Sequence, residues 1–397
     1  MKKVLMIESG SFKTIGGAAN DTFELYNYLM RRGGFEVKLF GDFSKFGYGG
    51  TLKLEDLESQ KFDVVILNSI RDVAIAEKYV LHDKSIKTLY VDRGDAITHY
   101  SKALLKRAVA KVPSVMGRLN NPEYFDSKTS QLAHGSNSKL ARHARDYVSK
   151  SYNIYLLGRM RKWLTCYVAI NAEQIDLAKA FFKNSATVEY IPIAPHEKFG
   201  KLEIGRDFSG ALYVGRLEET QKNVSFLIKG IKKVTDAHSE LRGKEIIRII
   251  GEGPDEAYYK SLTDSLGLSR CISFSGFKAY EELVRAYNNC GFFVSCSRWE
   301  SFSRVFIEAM ACGTPVLANT NNDKIISYNP KKYVVMDGET GLVYRFGDIE
   351  DFSEKFYRLY SDKQLRESLA RNAYSYATKE FSIEKTYGRY YDIISRL

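Results

Sequence analysis

Two carboxylates in an apolar setting give this sequence its chemistry. Residues 292–318 read FFVSCSRWESFSRVFIEAMACGTPVLA, with Glu300 and Glu308 separated by seven residues. The pattern predicts a buried strand, a polar loop, a short apolar helix starting near Ser303, a tight turn and a second buried strand. Glu308 lies among Phe306, Ile307, Ala309 and Met310, so its helix is apolar nearly all round and should be buried. A buried carboxylate is costly unless something hydrogen-bonds it. The free N–H groups and positive dipole end of the helix can hold a phosphate. Glu300 then lies on the loop side of that phosphate, and Glu308 roughly 7 Å further along the axis, at about 1.5 Å per residue. A molecule with a hydroxyl-rich ring on each side of a diphosphate satisfies both, and a nucleotide sugar is such a molecule. The plainer reading makes Glu300 a solvated loop residue and Glu308 a paired core residue.

Basic residues support the first reading. Arg216 and Lys222 follow the apolar run Ala211–Val214, which places them at the carboxyl end of a strand. Arginine grips a phosphate with two parallel N–H bonds, and lysine adds a point charge. Gly251-Glu252-Gly253-Pro254 signals a turn after another strand. Gly276 and Phe277, at the end of a further strand, offer backbone that can read a base edge. Gly16-Gly17 can bring backbone N–H groups close to a phosphate or an acceptor. A third glycine is lacking there, so no dinucleotide fingerprint is read. No Asp-x-Asp cluster follows a strand, and no metal site is expected.

The elements that must position these residues alternate strand and helix. Val4–Ile7, Phe35–Phe40, Asp63–Leu67 and Thr88–Val91 read as strands in the first half, with a helix over Asn20–Arg32. The prolines at 192 and 195 and the polar stretch to Gly210 read as a linker. A second alternating series follows, with strands at Gly210–Val214, Ile246–Ile250, Ile272–Ser275, Gly291–Ser295 and Pro315–Ala318, and a helix over Val224–Val234. This is the pattern of two doubly wound α/β domains with a cleft between them, where ligands bind in such sheets.

Composition narrows the class. At 397 residues the chain is long enough for two or three cores, and its 44% apolar and 27% charged residues are those of a globular protein. No apolar run reaches the roughly 18–20 residues that span a bilayer. Glu8 interrupts the opening apolar run, so it reads as a strand and not a signal peptide, and a cytoplasmic protein is expected. The five cysteines form no C-x-x-C pair and read as buried thiols. Thirteen Lys and Arg against three acids in residues 97–162 account for nearly all of the net charge of +11. That localisation implies an anionic partner, such as a membrane surface or a phosphorylated acceptor. No nucleic-acid-binding module accompanies it, so nucleic acid is not expected.

The second half resembles glycosyltransferase family 4. The carrying residues are VGRL at 214–217 with Lys222-Asn223, GEGP at 251–254, SGF at 275–277 and the stretch 295–318, in the family's order and spacing from about 210 to 345. The first half resembles it only in outline. The resemblance implies a GT-B fold, with two Rossmann-like doubly wound domains facing a central cleft. Residues 1–195 become the acceptor-side domain, with the basic segment 97–162. Residues 196–380 become the nucleotide-sugar domain, and 381–397 a helix crossing back to the first. It also implies a retaining, metal-independent transferase without a cofactor, using a nucleotide sugar, expected to be UDP-linked, as co-substrate.

Carried over position by position, Arg216 and Lys222 hold the donor diphosphate, Glu300 contacts the donor sugar and Glu308 binds the ribose hydroxyls. The backbone of Phe302, Ser303 and Arg304 caps sugar and phosphate, Gly276 and Phe277 border the base, and Gly17 approaches phosphate or acceptor. The family's Glu-Gly-Phe-Gly is Glu300-Ser301-Phe302-Ser303 here, and Arg304 is an unusual charge beside the site. Relatives often carry a histidine where Asp92 is the nearest match; an ion pair between Arg93 and a nearby aspartate explains that segment equally well. The expected acceptor is a glycan, a lipid-linked group or a protein, near the cytoplasmic face of a membrane. The rival readings are a GT-B nucleotide-sugar epimerase and a non-catalytic sugar-nucleotide or glycan-binding protein.

Overall fold

The computed structural model describes residues 1–8, 17–93, 153–321 and 334–397. Most of the basic segment 97–162, with Asp95, His99 and Gly16, lies outside the described residues. The chain divides into two compact units, one of residues 1–192 with 387–397, the other of residues 193–386.

The amino-terminal unit is built on a parallel sheet of β1 (Lys2–Ile7), β2 (Phe35–Phe40), β3 (Val64–Leu67), β4 (Lys87–Asp92), β5 (Cys166–Ala169) and β6 (Thr187–Tyr190), in the order β2-β1-β3-β4-β5-β6. Its central strands are buried on both faces, so VLMI, VVIL and CYVA are unbroken apolar runs where an alternating pattern would mark a half-exposed sheet. Leu5, Val65, Tyr90 and Tyr167 pack with Ile175, Phe181 and Phe182 of the helix Ala172–Phe182. Gly17 is not in a loop: it is the first residue of the helix Gly17–Arg32.

A buried polar network sits at the carboxyl ends of β1 and β4. Arg93 pairs with Asp21 and donates to Asn68 Oδ1 at 3.1 Å, while Thr22 donates to Glu8 Oε2 at 3.1 Å. The last helix, Ile383–Arg396, joins it through Tyr387, whose hydroxyl donates to Asp21 Oδ1 at 2.8 Å and Glu24 Oε2 at 3.1 Å. Lys2 Nζ donates to the carbonyls of Ile394 and Ser395, so the two ends of the chain meet in this unit.

The other unit holds β7 (Ala211–Val214), β8 (Ile247–Ile250), β9 (Ile272–Phe274), β10 (Phe292–Val294), β11 (Val316–Asn319) and β12 (Gly341–Tyr344). They pair in parallel in the order β12-β11-β10-β7-β8-β9. Strand order reverses between β7 and β10, so the loops leaving these two strands diverge and open a crevice at their carboxyl ends. Helix Val224–Ala237 covers one face with Leu227, Ile228 and Ile231, packed with Phe352 and Phe356 of the helix Ile349–Ser361. The loop after β8 passes tightly under the loop after β7. Gly251 has φ +137°, and a Cβ there would lie 2.0 Å from the Gly215 carbonyl, so only glycine fits.

Candidate active site

The crevice is lined by the loops after β7 and β10, and each is shaped by local chemistry. After β7, Glu218 caps a one-turn helix Glu219–Lys222, its carboxylate accepting from Thr220 N at 2.8 Å and Gln221 N at 3.3 Å. Asn223 ends that turn in the left-handed region, φ 53° and ψ 40°, which asparagine tolerates better than most residues. The chain then turns at once into the helix Val224–Ala237, leaving Lys222 on the crevice side.

The β10 loop is fastened to this turn along its length. Asn223 Nδ2 donates to the Cys296 carbonyl at 3.3 Å, and Cys296 Sγ to the Lys222 carbonyl at 3.0 Å. Arg298 N donates to the Gln221 carbonyl at 2.7 Å, and Gln221 Nε2 to the Trp299 carbonyl at 3.1 Å. The Arg298 guanidinium pairs with Glu219 at 2.9 Å. At the centre of the seam Lys222 Nζ meets Glu300 Oε1 at 2.6 Å, with both side chains largely buried. The structure thus brings Lys222 and Glu300 into direct contact. Arg216, two residues beyond the end of β7, is exposed, and among the described residues its guanidinium has no ion-pair partner.

The β10 loop ends in helix Arg304–Ala311, close to the start expected from the sequence. Ser303, its N-cap, has φ 53° and ψ 77° and is 7% exposed. Left-handed backbone costs a residue with a Cβ about 1–2 kcal/mol relative to glycine. Ser303 is therefore strained, and its buried Oγ has no hydrogen-bond partner among the described residues. Phe302 anchors the turn, buried and edge-on to Phe381 at 5.8 Å.

Glu308 is 6% exposed, and its Oε1 lies 3.4 Å from Arg304 Nε one turn earlier. Burial pushes its carboxyl up to about 7, with the Arg304 guanidinium only partly opposing the shift. Arg304 also helps burial hold the His196 imidazole down at about 4, so that ring stays neutral where it stacks on Tyr280 at 4.2 Å. Gly276, φ +65°, accepts from Gly251 N at 2.9 Å, and Phe277 N donates to Glu252 Oε1 at 3.3 Å. The N–H of Phe277 is therefore already engaged, and its ring is 61% exposed.

Two candidates belong to the amino-terminal unit. Asp92, the last residue of β4, is fully buried and accepts from the Tyr167 hydroxyl. The neighbouring Arg93 pairs with Asp21, an aspartate far away in the sequence, on the helix Gly17–Arg32. Gly17 opens its helix, where a backbone N–H is unsatisfied by the helix itself. Sequence reasoning did not single out Glu219, Gln221 and Arg298. Their partners lie far along the chain, so the only local signal was a polar turn between two strands.

Residues 196–376 match the family described as glycosyl transferases group 1. The chain is 31% identical over 170 residues to a D-inositol 3-phosphate glycosyltransferase of Corynebacterium jeikeium (strain K411), covering 42% of this chain and 39% of that one. It spans 39%, 46% and 60% of the lengths of three curated relatives it matches. The fold extends over the whole chain. A sucrose-phosphate synthase of Thermosynechococcus elongatus superimposes with a TM-score of 0.68 at 17% identity, covering 100% of this chain and 99% of the other. Anabaena HepE, solved with UDP and glucose, gives 0.62 at 15% identity with full coverage of both chains. The architecture is that of the GT-B fold.

Two outcomes follow from the strained, buried helix start. Glu308 has its folded pKa raised, so its contribution to stability is present below the unfolded value and is lost as pH rises through about 7. Glu308→Gln removes that titration. Its unfolding midpoint should gain on wild type between pH 5 and 8, and parallel curves would show that Glu308 is not held neutral (~1.4 kcal/mol per pKa unit sets the scale). Ser303→Gly should raise stability by about 1 kcal/mol, because relief of left-handed strain exceeds glycine's extra chain entropy. A lower midpoint in thermal unfolding would contradict the strain.

Proposed function

We propose that the protein is a retaining glycosyltransferase of family 4. It moves a sugar from a nucleotide-diphosphate donor, with UDP as the expected nucleotide, to a hydroxyl of a glycan, lipid-linked or phosphorylated acceptor. The observation that carries this reading is the Lys222–Glu300 contact beside the helix start at Ser303, with the buried Glu308 on the same helix. A cation, a helix N-terminus and two carboxylates in this order suit a diphosphate flanked by two hydroxyl-bearing rings. The group 1 match over 196–376 supports the same reading. UDP is supported by the Anabaena structure's own ligand, and a phosphorylated acceptor by the name of the inositol 3-phosphate relative.

The chemistry then follows from charge. As the glycosidic bond breaks, the leaving nucleoside diphosphate gains negative charge. Arg216, Lys222 and the N–H groups at the start of helix Arg304–Ala311 meet that charge, and they stabilise it more in the transition state than in the ground state. Lys222 is pre-positioned by Glu300, so little reorganisation is needed when the phosphate arrives. Glu300 can then turn its carboxylate to the sugar hydroxyls. Glu308, whose helix neighbours are apolar, can accept from ribose hydroxyls at a site where water competes poorly. The sugar becomes cationic at its anomeric carbon, and the acceptor hydroxyl attacks from the same face as the departing diphosphate, passing its proton to the leaving phosphate oxygen, so the configuration is retained. The roles of Gly17 and Asp92 rest on the resemblance alone.

The test is a set of nucleoside diphosphates scored by thermal unfolding of wild type, Arg216→Ala and Glu308→Ala. One nucleotide should raise the wild-type midpoint, since a ligand at about a hundred times its Kd stabilises by about 2.7 kcal/mol. Both variants should lose most of that shift. Its sugar conjugate should then release nucleoside diphosphate when an acceptor is present. If no nucleotide shifts the midpoint, the donor-site reading fails. Release of nucleotide without any acceptor requirement would favour an epimerase.

A further inference from the structure

We propose that the unit of residues 193–386 carries a second anion site, separate from the donor crevice, which takes a small phosphate-bearing molecule. The site is a cavity of about 520 Å³ walled by Lys201, Arg206, Lys363, Glu367, Arg371 and Tyr374. That volume lies within the range of small-ligand pockets, about 300–1,000 Å³. A side lobe of about 190 Å³ shares Arg206 and Lys363 and reaches Ser209, Gly291 and Arg366. Ser209 and Gly291 precede β7 and β10, so the cavity lies at the amino ends of these strands. Arg216 and Glu300 follow the carboxyl ends of the same strands.

Charge makes this cavity unusual. Four cations face one carboxylate. Lys363 and Glu367 approach only to 3.8 Å with both side chains exposed, a pair too loose to neutralise much. Arg206 is held rigidly: Nη1 donates to the Cys290 carbonyl at 2.8 Å and Thr314 Oγ1 at 3.3 Å, and Nη2 to the carbonyls of Cys312 and Gly313. These partners are neutral, so they fix the guanidinium without cancelling its charge. Arg366 in the side lobe is held the same way, by the carbonyls of Leu359 and Tyr360. Capping of helix carboxyl ends explains both of these arginines. It does not explain Lys201 and Arg371, which among the described residues have no ion-pair partner. Cations gathered in a concave wall repel one another, and a phosphate dianion entering between them relieves that repulsion and forms charge-assisted hydrogen bonds. The Tyr374 ring, partly exposed on the same wall, offers an apolar face to a ring attached to the phosphate.

Inorganic pyrophosphate is the probe, titrated by calorimetry into the full chain at constant ionic strength. Three proteins are compared: wild type, Lys201→Glu with Arg371→Glu, and Arg216→Ala with Lys222→Ala. Pyrophosphate should still bind the donor-site double variant. The cavity double variant should bind it at least about tenfold more weakly, the scale of a lost charge-assisted contact. Both cavity residues are exposed, so that variant should unfold at the wild-type temperature; if it does not, Lys201→Gln with Arg371→Gln replaces it. Loss of binding in the donor-site variant, with binding intact in the cavity variant, would overturn the proposal, as would no binding to wild type. Binding of phosphatidic acid vesicles that pyrophosphate does not displace would also overturn it, since the surface would then be a lipid contact and not a pocket for a small molecule.

Discussion

The seam between the loops after β7 and β10 is the constraint on which the rest of the site depends. A reversal of strand order makes two loops diverge, and a divergent pair has no reason to hold a fixed geometry. Here Lys222 meets Glu300, Arg298 meets Glu219, and the Cys296 and Lys222 backbones are tied to side chains across the gap. The ion pair at the centre is weak evidence for stability, because two charges had to leave water to form it. Its value is positional. It holds a cation and a carboxylate in fixed positions in the crevice.

The other side of the crevice trades stability for the same end. Ser303 holds left-handed backbone without being glycine, and Glu308 is buried enough that its carboxyl titrates near neutrality. Strain and a desolvated carboxylate persist only where the surrounding structure overrules them. Phe302 on Phe381 and the apolar body of helix Arg304–Ala311 supply that surround. Arg304 departs from the pattern of the family the sequence resembles. It lies against Glu308, so any ligand that reaches for that carboxylate meets a guanidinium beside it.

Much of this was legible in the sequence, for a physical reason. Parallel strands buried on both faces are written as unbroken apolar runs, so β1, β3, β7 and β10 stand out, β2 shows as the alternation of a half-buried edge strand, and Glu300 and Glu308 stand out against them. The strand TVEY did not, because β6 is only half-buried at a sheet edge, and CYVA and GLVY were passed over although they are as apolar as the strands that were read. Long-range pairing was invisible. Nothing near Glu219 points to Arg298, and nothing near Arg93 points to Asp21. The cavity around Lys201 and Arg371 was equally hidden, since its cations come from the start of one segment and the face of a helix far along the chain. Gly17 read as a loop glycine because the residues after it carry little helical signal of their own.

Photoaffinity labelling tests the central claim most directly. An azido analogue of the nucleoside diphosphate that binds is cross-linked to the full chain, and the labelled peptides are mapped by mass spectrometry. The account predicts labels in the segments that hold Arg216, Gly276-Phe277 and Glu300 to Glu308, with labelling suppressed by the unmodified nucleotide. Suppressible labelling confined to other segments, with these three untouched, would contradict it.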